Sequence, residues 1–163
     1  MSENLKKNNN TQCLSFYIKD EMFSLDASFV KEIIQYTQIT RVPMMQSFVV
    51  GITNIRGSVI PVLDLSDRLG MGKSNIEKKT CIITIEANID NEDMEIGIVV
   101  DVVDQVYDVS HNARMDAPEF GSKIRKDFIS MIAKIDEKFI VLLNVDALVN
   151  LEELSVVNQQ KSA

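Results

Sequence analysis

Zinc binding and histidine- or cysteine-based catalysis need side chains that this sequence scarcely has. Histidine occurs once, at His111, and cysteine twice, at Cys13 and Cys81. A zinc site would require two more Cys or His ligands close to these, so none is expected, and no cofactor is expected either. His111 lacks a GxSxG serine or a catalytic cysteine beside it and reads as a surface-loop residue. Asp101 and Asp104 are close in sequence but fall on opposite faces if a strand runs that far, which is wrong for a paired acid and base. The two cysteines flank apolar, β-rich runs (Leu14–Ile18 and Ile82–Ile85) and read as reduced, buried thiols.

Positive charge is also short. The formal net charge is -7 and the pI about 4.7, and the basic residues form nothing longer than pairs such as Lys6-Lys7 and Lys78-Lys79. Such a surface repels phosphate, which argues against nucleic acid and against a polybasic membrane anchor. No stretch approaches the roughly 20 apolar residues that span a bilayer. Residues 1–12 are polar, rich in Asn and Lys, and lack the apolar core of a signal peptide. The expectation is a cytoplasmic chain with no direct membrane contact.

Two segments imitate ligand-binding motifs and fail on spacing. Gly70-Met71-Gly72-Lys73-Ser74 resembles the end of a P-loop, but Asp67 stands where the first glycine belongs. Asn88, Asp90 and Glu92 alternate like calcium ligands, yet Asp93 replaces the required glycine and Val99 the bidentate glutamate. Both read as solvated loops.

What the sequence does have is a period of two, the period of strands. The composition, 45% hydrophobic and 25% charged, is that of a folded soluble chain. Leu14, Phe16 and Ile18 alternate with polar neighbours, and Met22–Leu25 reads as the return strand. Ser28–Ile34 carries Phe29, Val30, Ile33 and Ile34 at helical spacing and is read as a helical turn, with a bent strand as the alternative. Phe48–Ile55 and Val59–Leu65 form a hairpin around Arg56-Gly57, whose glycine suits the positive φ of a tight turn. Pro61 would place its strand at an edge or a bulge. Ser66–Leu69 is a helical turn ended by Gly70. Cys81–Glu86 is a strand, 88–95 an acidic loop, and Ile96–Val103, apolar on both faces, a central strand. Residues 108–128 form the longest irregular region. Ile129–Ile135 and Phe139–Val145 make another hairpin, and Asp146 caps a short C-terminal helix reaching Leu154.

These segments repeat. Ile52–Ile55 aligns with Ile132–Ile135, Ile60 with Ile140, and Val62–Leu65 with Leu142–Val145. Phe23, Leu25 and Ala27 align with Ile96, Ile98 and Val100, and Glu32 with Gln105. The chain therefore reads A, B, A′, B′, each A–B pair holding the four to five strands of a small barrel. The expected fold is mostly β: two five-stranded barrels packed together within residues 13–154, with short helices and with disordered tails at 1–12 and 155–163.

Two charges interrupt apolar runs. Arg56 is the only charge between Phe48 and Leu63, and Glu32 is flanked by Phe29, Val30, Ile33 and Ile34. Arg56 reads either as a solvated turn residue or as a charge that points across an apolar surface to Glu32, the pair fixing orientation while the apolar rim supplies affinity.

The stretch Gly51-Ile52-Thr53-Asn54-Ile55-Arg56-Gly57-Ser58-Val59-Ile60-Pro61-Val62-Leu63-Asp64-Leu65 closely resembles the signature hairpin of the CheW family of chemotaxis coupling proteins. Weaker stretches agree in the right order: Phe23–Asp26 with Val30–Ile33, then Gly97–Val103, Ala117–Phe120 and Ile140–Val145. The resemblance spans roughly residues 14–150. It implies two SH3-like β-barrels around a shared core, and a non-enzymatic adaptor. It further implies binding to the helical tips of chemoreceptors, in an apolar groove between the barrels, and to the regulatory domain of the histidine kinase CheA. Recruitment to membrane receptor arrays would follow through those partners. The family's sensitive glutamate and arginine fall on Glu32 and Arg56, with Asn54 and Gly57 also matching, so the partner-binding residues are expected to be Val30, Glu32, Ile33, Asn54, Ile55, Arg56, Gly57 and Val59. Pro43–Ser47 departs from the family pattern. A chain of 163 residues suits the stand-alone adaptor rather than the CheV or CheA fusions. The alternatives are a coupling protein for another chemosensory output, such as pilus motility, and an unrelated small β-barrel enzyme.

Overall fold

The computed structural model describes residues 10–115 and 124–150. Strands β1 (Thr11–Ile18), β2 (Glu21–Asp26) and β3 (Val30–Gln35) open it. Next come β4 (Val49–Ile55), β5 (Ser58–Asp64) and a single helical turn, α1 (Leu65–Arg68). Then follow β6 (Cys81–Ile89), β7 (Glu92–Val100), β8 (Val102–Val109) and the short β9 (Arg114–Met115). The described chain closes with β10 (Ile129–Ile135), β11 (Lys138–Leu143) and α2 (Val145–Leu148).

The strands form two sheets, ordered β8-β1-β2-β11-β10-β9 and β3-β6-β7-β5-β4. Each hairpin of the B type pairs in parallel with the A strand of the other repeat: β5 against β7 and β11 against β2. Laying β1-β2-β3-β4-β5 on β6-β7-β8-β10-β11 converts one strand order into the other, apart from the added β9. The repeat is thus an exchange of strands between barrels, and its register holds at single residues. The ladder slips between Val49 and Gly51 in β4 and between Ile129 and Met131 in β10, which are equivalent positions. Asp64 donates its N–H to the Phe48 carbonyl, as Asn144 does to that of Phe128.

This exchange explains why the central strands are apolar on both faces. One face of β7 (Ile96, Ile98, Val100) joins β1, β2 and α2 in the core shared by the barrels. The other face sends Val99 into a smaller core with Val62 and Ile82 inside its own barrel. The first barrel, built from the β8-β1-β2-β11-β10-β9 sheet rather than from one A–B pair, has a matching interior of Cys13, Val109, Ala133 and Leu142; the second is the β3-β6-β7-β5-β4 sheet. A strand buried on both sides needs near-continuous hydrophobics.

Several sequence expectations change. Residues 28–34 are not a helical turn: a 3-10 turn stops at Phe29 and β3 follows. A register shift between Val30 and Glu32 inserts one residue, and that bulge spaces Val30, Ile33 and Ile34 like a helix. The segment 88–95 is not a loop but the end of a ladder, with Asn88 opposite Asp93 and Ile89 opposite Glu92. Its turn is only Asp90-Asn91, both with positive φ, residues that tolerate the left-handed region. Pro61 lies in an interior strand. It opposes Ile52, whose N–H and carbonyl are both given to Thr40, so β4 asks Pro61 for no donor. The α2 cap is Asn144, whose side chain accepts from the Ala147 N–H, rather than Asp146. The first strand starts at Thr11, inside the expected tail. Cys13 is buried but Cys81 only half-buried, and both are free thiols. The expected C-terminal tail, the helix beyond residue 150, the Ala117–Phe120 stretch and residues 1–9 lie outside the described residues.

Candidate functional site

The bulge in β3 shapes the candidate site. At the slip, the Glu32 N–H donates to Thr84 Oγ1 at 3.1 Å and the Thr84 hydroxyl donates back to the Glu32 carbonyl at 3.3 Å. Thr84 is fully buried on β6, so this reciprocal pair seats the Glu32 backbone against the barrel. The Glu32 carboxylate meets the guanidinium of Arg56, with Nη2 to Oε2 at 3.0 Å. The bond joins one edge strand of the five-stranded sheet to the tip of the hairpin that forms the other edge.

That tip is a two-residue turn, Arg56 at φ 54° and Gly57 at φ 86°, the type I′ geometry that matches strand twist. The Gly57 N–H donates to Asn54 Oδ1 at 3.0 Å, which is how Asn54 serves the hairpin. Arginine is a poor occupant of the left-handed region, where a Cβ crowds the next carbonyl. Its presence is explained by what its side chain reaches. Arg56 is 81% exposed and Glu32 24%, so Glu32 is a partly sheltered anchor and most of the guanidinium faces outward.

The sequence-predicted residues do not all converge. Glu32, Ile55 and Arg56 line one open hollow of about 430 Å³, together with Lys31, Ser58 and Glu95. Val30 is half-buried and packs on the shared core instead. Ile33 and Val59 are exposed but are not part of the hollow's lining. Lys31, Glu86 and Glu95 escaped sequence reasoning. Glu86 and Glu95 lie directly opposite each other in the β6–β7 ladder, an unfavourable like-charge pair. The bulged Lys31 bridges them at 3.5 and 3.4 Å. Glu95 first, and then Glu86, hold the Lys31 ammonium above its ordinary pKa. No local pattern reveals this, because the pairing depends on register.

The equivalent region of the first barrel differs in charge. Its bulge is held alike: Ser15 donates to the Gln105 carbonyl at 2.8 Å and accepts the Gln105 N–H at 3.2 Å. Gln105 replaces Glu32, and the hairpin turn is Asp136-Glu137. The exposed apolar positions recur, with Val106 matching Ile33 and Phe139 matching Val59. Elsewhere, the Gly70–Ser74 segment closes on Asp64, which accepts the Ser74 N–H at 2.9 Å and its hydroxyl at 2.6 Å. Burial, more than the nearby Asp26 carboxylate, pushes the Cys13 thiol up to about 11, which leaves it protonated and unreactive near neutrality.

A family profile for the CheW-like domain matches residues 12–153. The chain is 30% identical to the chemotaxis protein CheW of Thermotoga maritima, over 89% of this chain and 90% of that protein. It is 27% identical to the chemotaxis protein CheW of Klebsiella aerogenes, over 89% of this chain and 85% of the other. The crystal structure of the scaffolding protein TtCheW from Thermoanaerobacter tengcongensis superposes with a TM-score of 0.77 at 31% identity, covering 88% of this chain and 94% of that one.

Proposed function

The chain belongs to the CheW family of chemotaxis adaptors, and from that premise we propose that it couples chemoreceptor tips to the regulatory domain of the histidine kinase CheA. The observation that carries this reading is the Glu32–Arg56 pair, with its anchored carboxylate and outward-facing guanidinium. A docking surface needs a charge held in one direction, so that a partner meets it without ordering a long side chain first. Glu32 supplies that orientation, and the exposed Ile33 and Val59 supply apolar area nearby. The role asks for no catalytic group: an adaptor works by holding two proteins in register. No helix among the described residues is long and apolar enough to cross a membrane. Placement at receptor arrays in the cytoplasm would therefore come through the partners.

The pair itself contributes little to folding, since an exposed ion pair is worth ~0–1 kcal/mol. When a partner covers it, loss of one member would cost ~2–5 kcal/mol of binding. Titration of the kinase regulatory domain and of receptor cytoplasmic fragments against wild type, Arg56→Ala, Glu32→Ala and the double variant separates these. At least one partner is expected to bind each single variant more than tenfold more weakly, with the melting temperature little changed and the double variant less than additive. Unchanged affinity for both partners would overturn the assignment.

A further inference from the structure

The repeat breaks its own symmetry at a buried cation. Arg68, at the end of α1, is 7% exposed. Its Nε donates to the Leu148 carbonyl at 2.8 Å and its Nη2 to the Ala147 carbonyl at 2.9 Å. Leu148 is the residue that the repeat aligns with Arg68, so two equivalent positions are bonded directly to each other across the pseudo-dyad. The guanidinium also lies over two phenylalanine rings, Phe48 at 4.6 Å and Phe128 at 4.7 Å, which are themselves equivalent positions leading into β4 and β10. A cation placed at the C-terminal carbonyls of a helical turn satisfies acceptors that have no partner within the turn. Arg125 also lies over the Phe128 ring, at 4.3 Å, but it is half-exposed and paired with Asp127, so Arg68 is the buried cation of the joint.

We propose that Arg68 is an asymmetric latch between the barrels, holding α2 and the Phe128 entry of β10 to α1 so that the two barrels move as one body. The latch lies in the shared core, away from the Glu32–Arg56 hollow. Resting on the adaptor reading above, the proposal adds how that function is regulated: the joint sets whether a change at one barrel reaches the other. An adaptor with an open latch still binds the kinase, but no longer passes the receptor state to it.

The test uses the full chain with Arg68→Leu, which copies the equivalent residue and keeps the joint apolar, and with Arg68→Lys, which keeps the charge but loses the planar fork. Amide hydrogen exchange is read at Asn144, Leu148 and Val149, whose N–H groups bond to Phe128, Asn144 and Val145, and at Ile83, Ile85 and Ile98 in β6 and β7. In Arg68→Leu, exchange at the first set is expected to speed at least tenfold while the second set stays within twofold. Arg68→Lys should fall between this variant and wild type, and it carries the test if Arg68→Leu does not fold. Loss of protection in both sets alike, or in neither, would overturn the latch. In a reconstituted receptor–kinase mixture, Arg68→Leu should bind the kinase regulatory domain within threefold of wild type yet lose at least tenfold in ligand control of the kinase. Full control with a loosened α2 would overturn the transmission claim. If wild type itself shows no coupling, the adaptor reading fails, while the exchange result still decides the latch.

Discussion

The two barrels share a register down to their bulges, and their hairpin tips have diverged. In the second barrel the turn is Arg56-Gly57, tied to Glu32; in the first it is Asp136-Glu137, with Gln105 at the position of Glu32. Each scaffold is held by a buried hydroxyl, Thr84 or Ser15, bonded both ways to the bulged strand. What repeats is therefore the backbone hydrogen bonding and the apolar interior, which any barrel of this size needs. What differs is the charge at the tip, which folding does not require. That contrast separates residues kept for structure from residues available for recognition.

The strongest test of this separation is steric. Gly51 has φ +153°, and a Cβ there would lie 2.0 Å from the Thr40 carbonyl oxygen. Thr40 cannot withdraw easily, because it exchanges both backbone hydrogen bonds with Ile52. The equivalent position in the first barrel is Met131, where a long side chain is accommodated beside the barrel interior. Gly51→Ala is expected to cost about 3 kcal/mol or more, measured by urea unfolding. If it proved nearly neutral, the close passage of residue 40 over β4 would not be a packing constraint.

The barrel interiors offer a second contrast. Cys13 occupies in the first barrel the place that Ile82 holds in the second. Its thiol is raised from an ordinary 9.0 to about 11 in the folded chain. Above pH 9 the unfolded state loses this proton while the folded state keeps it, so stability falls as pH rises from about 9 to 11. The full loss is at most about 2–3 kcal/mol. Cys13→Val should remove that component of the alkaline slope, and an unchanged slope would show that the thiol is not held protonated by burial. Alkylation should meanwhile reach Cys81 before Cys13.

Smaller effects are expected at the tips, and they are the more informative for function. Arg56→Asn places a residue suited to the left-handed region in the turn, a gain of about 1 kcal/mol, and loses an exposed ion pair worth ~0–1 kcal/mol. Thermal stability should thus hardly change, while partner affinity falls at least tenfold, about 1.4 kcal/mol. A parallel loss of stability and affinity would return Arg56 to the scaffold. Asp136→Ala, at the equivalent tip, should leave affinity at the Glu32–Arg56 surface within about 0.3 kcal/mol, as expected of a distant independent site. A tenfold loss there would mean that one partner spans both tips.

The hairpin around Arg56-Gly57 was legible because alternation and a glycine turn are local signals. The equally tight turns at Lys19-Asp20, Asp90-Asn91 and Asp136-Glu137 were not all legible, since without glycine the polar residues around them read as loop. Glu32 and Arg56 stood out as charges within apolar runs, and their pairing is what the fold shows. Val30 belonged to the same run but packs inward on the shared core, because the bulge changes which side chains share a face.

By itself, then, the sequence determined the β character, the duplicated order of segments and the charges available for recognition. These follow from period, repetition and composition, which are properties of neighbours along the chain. Only the tertiary structure decided that the B hairpins exchange between barrels, that Lys31 bridges Glu86 and Glu95, and that Arg68 is buried between Phe48 and Phe128. Arg68 in particular sits in a short helical turn where an arginine ordinarily points to solvent. Its acceptors lie about half the chain length away, at Ala147 and Leu148, and no pattern near residue 68 encodes a partner that arrives only when the two repeats pack.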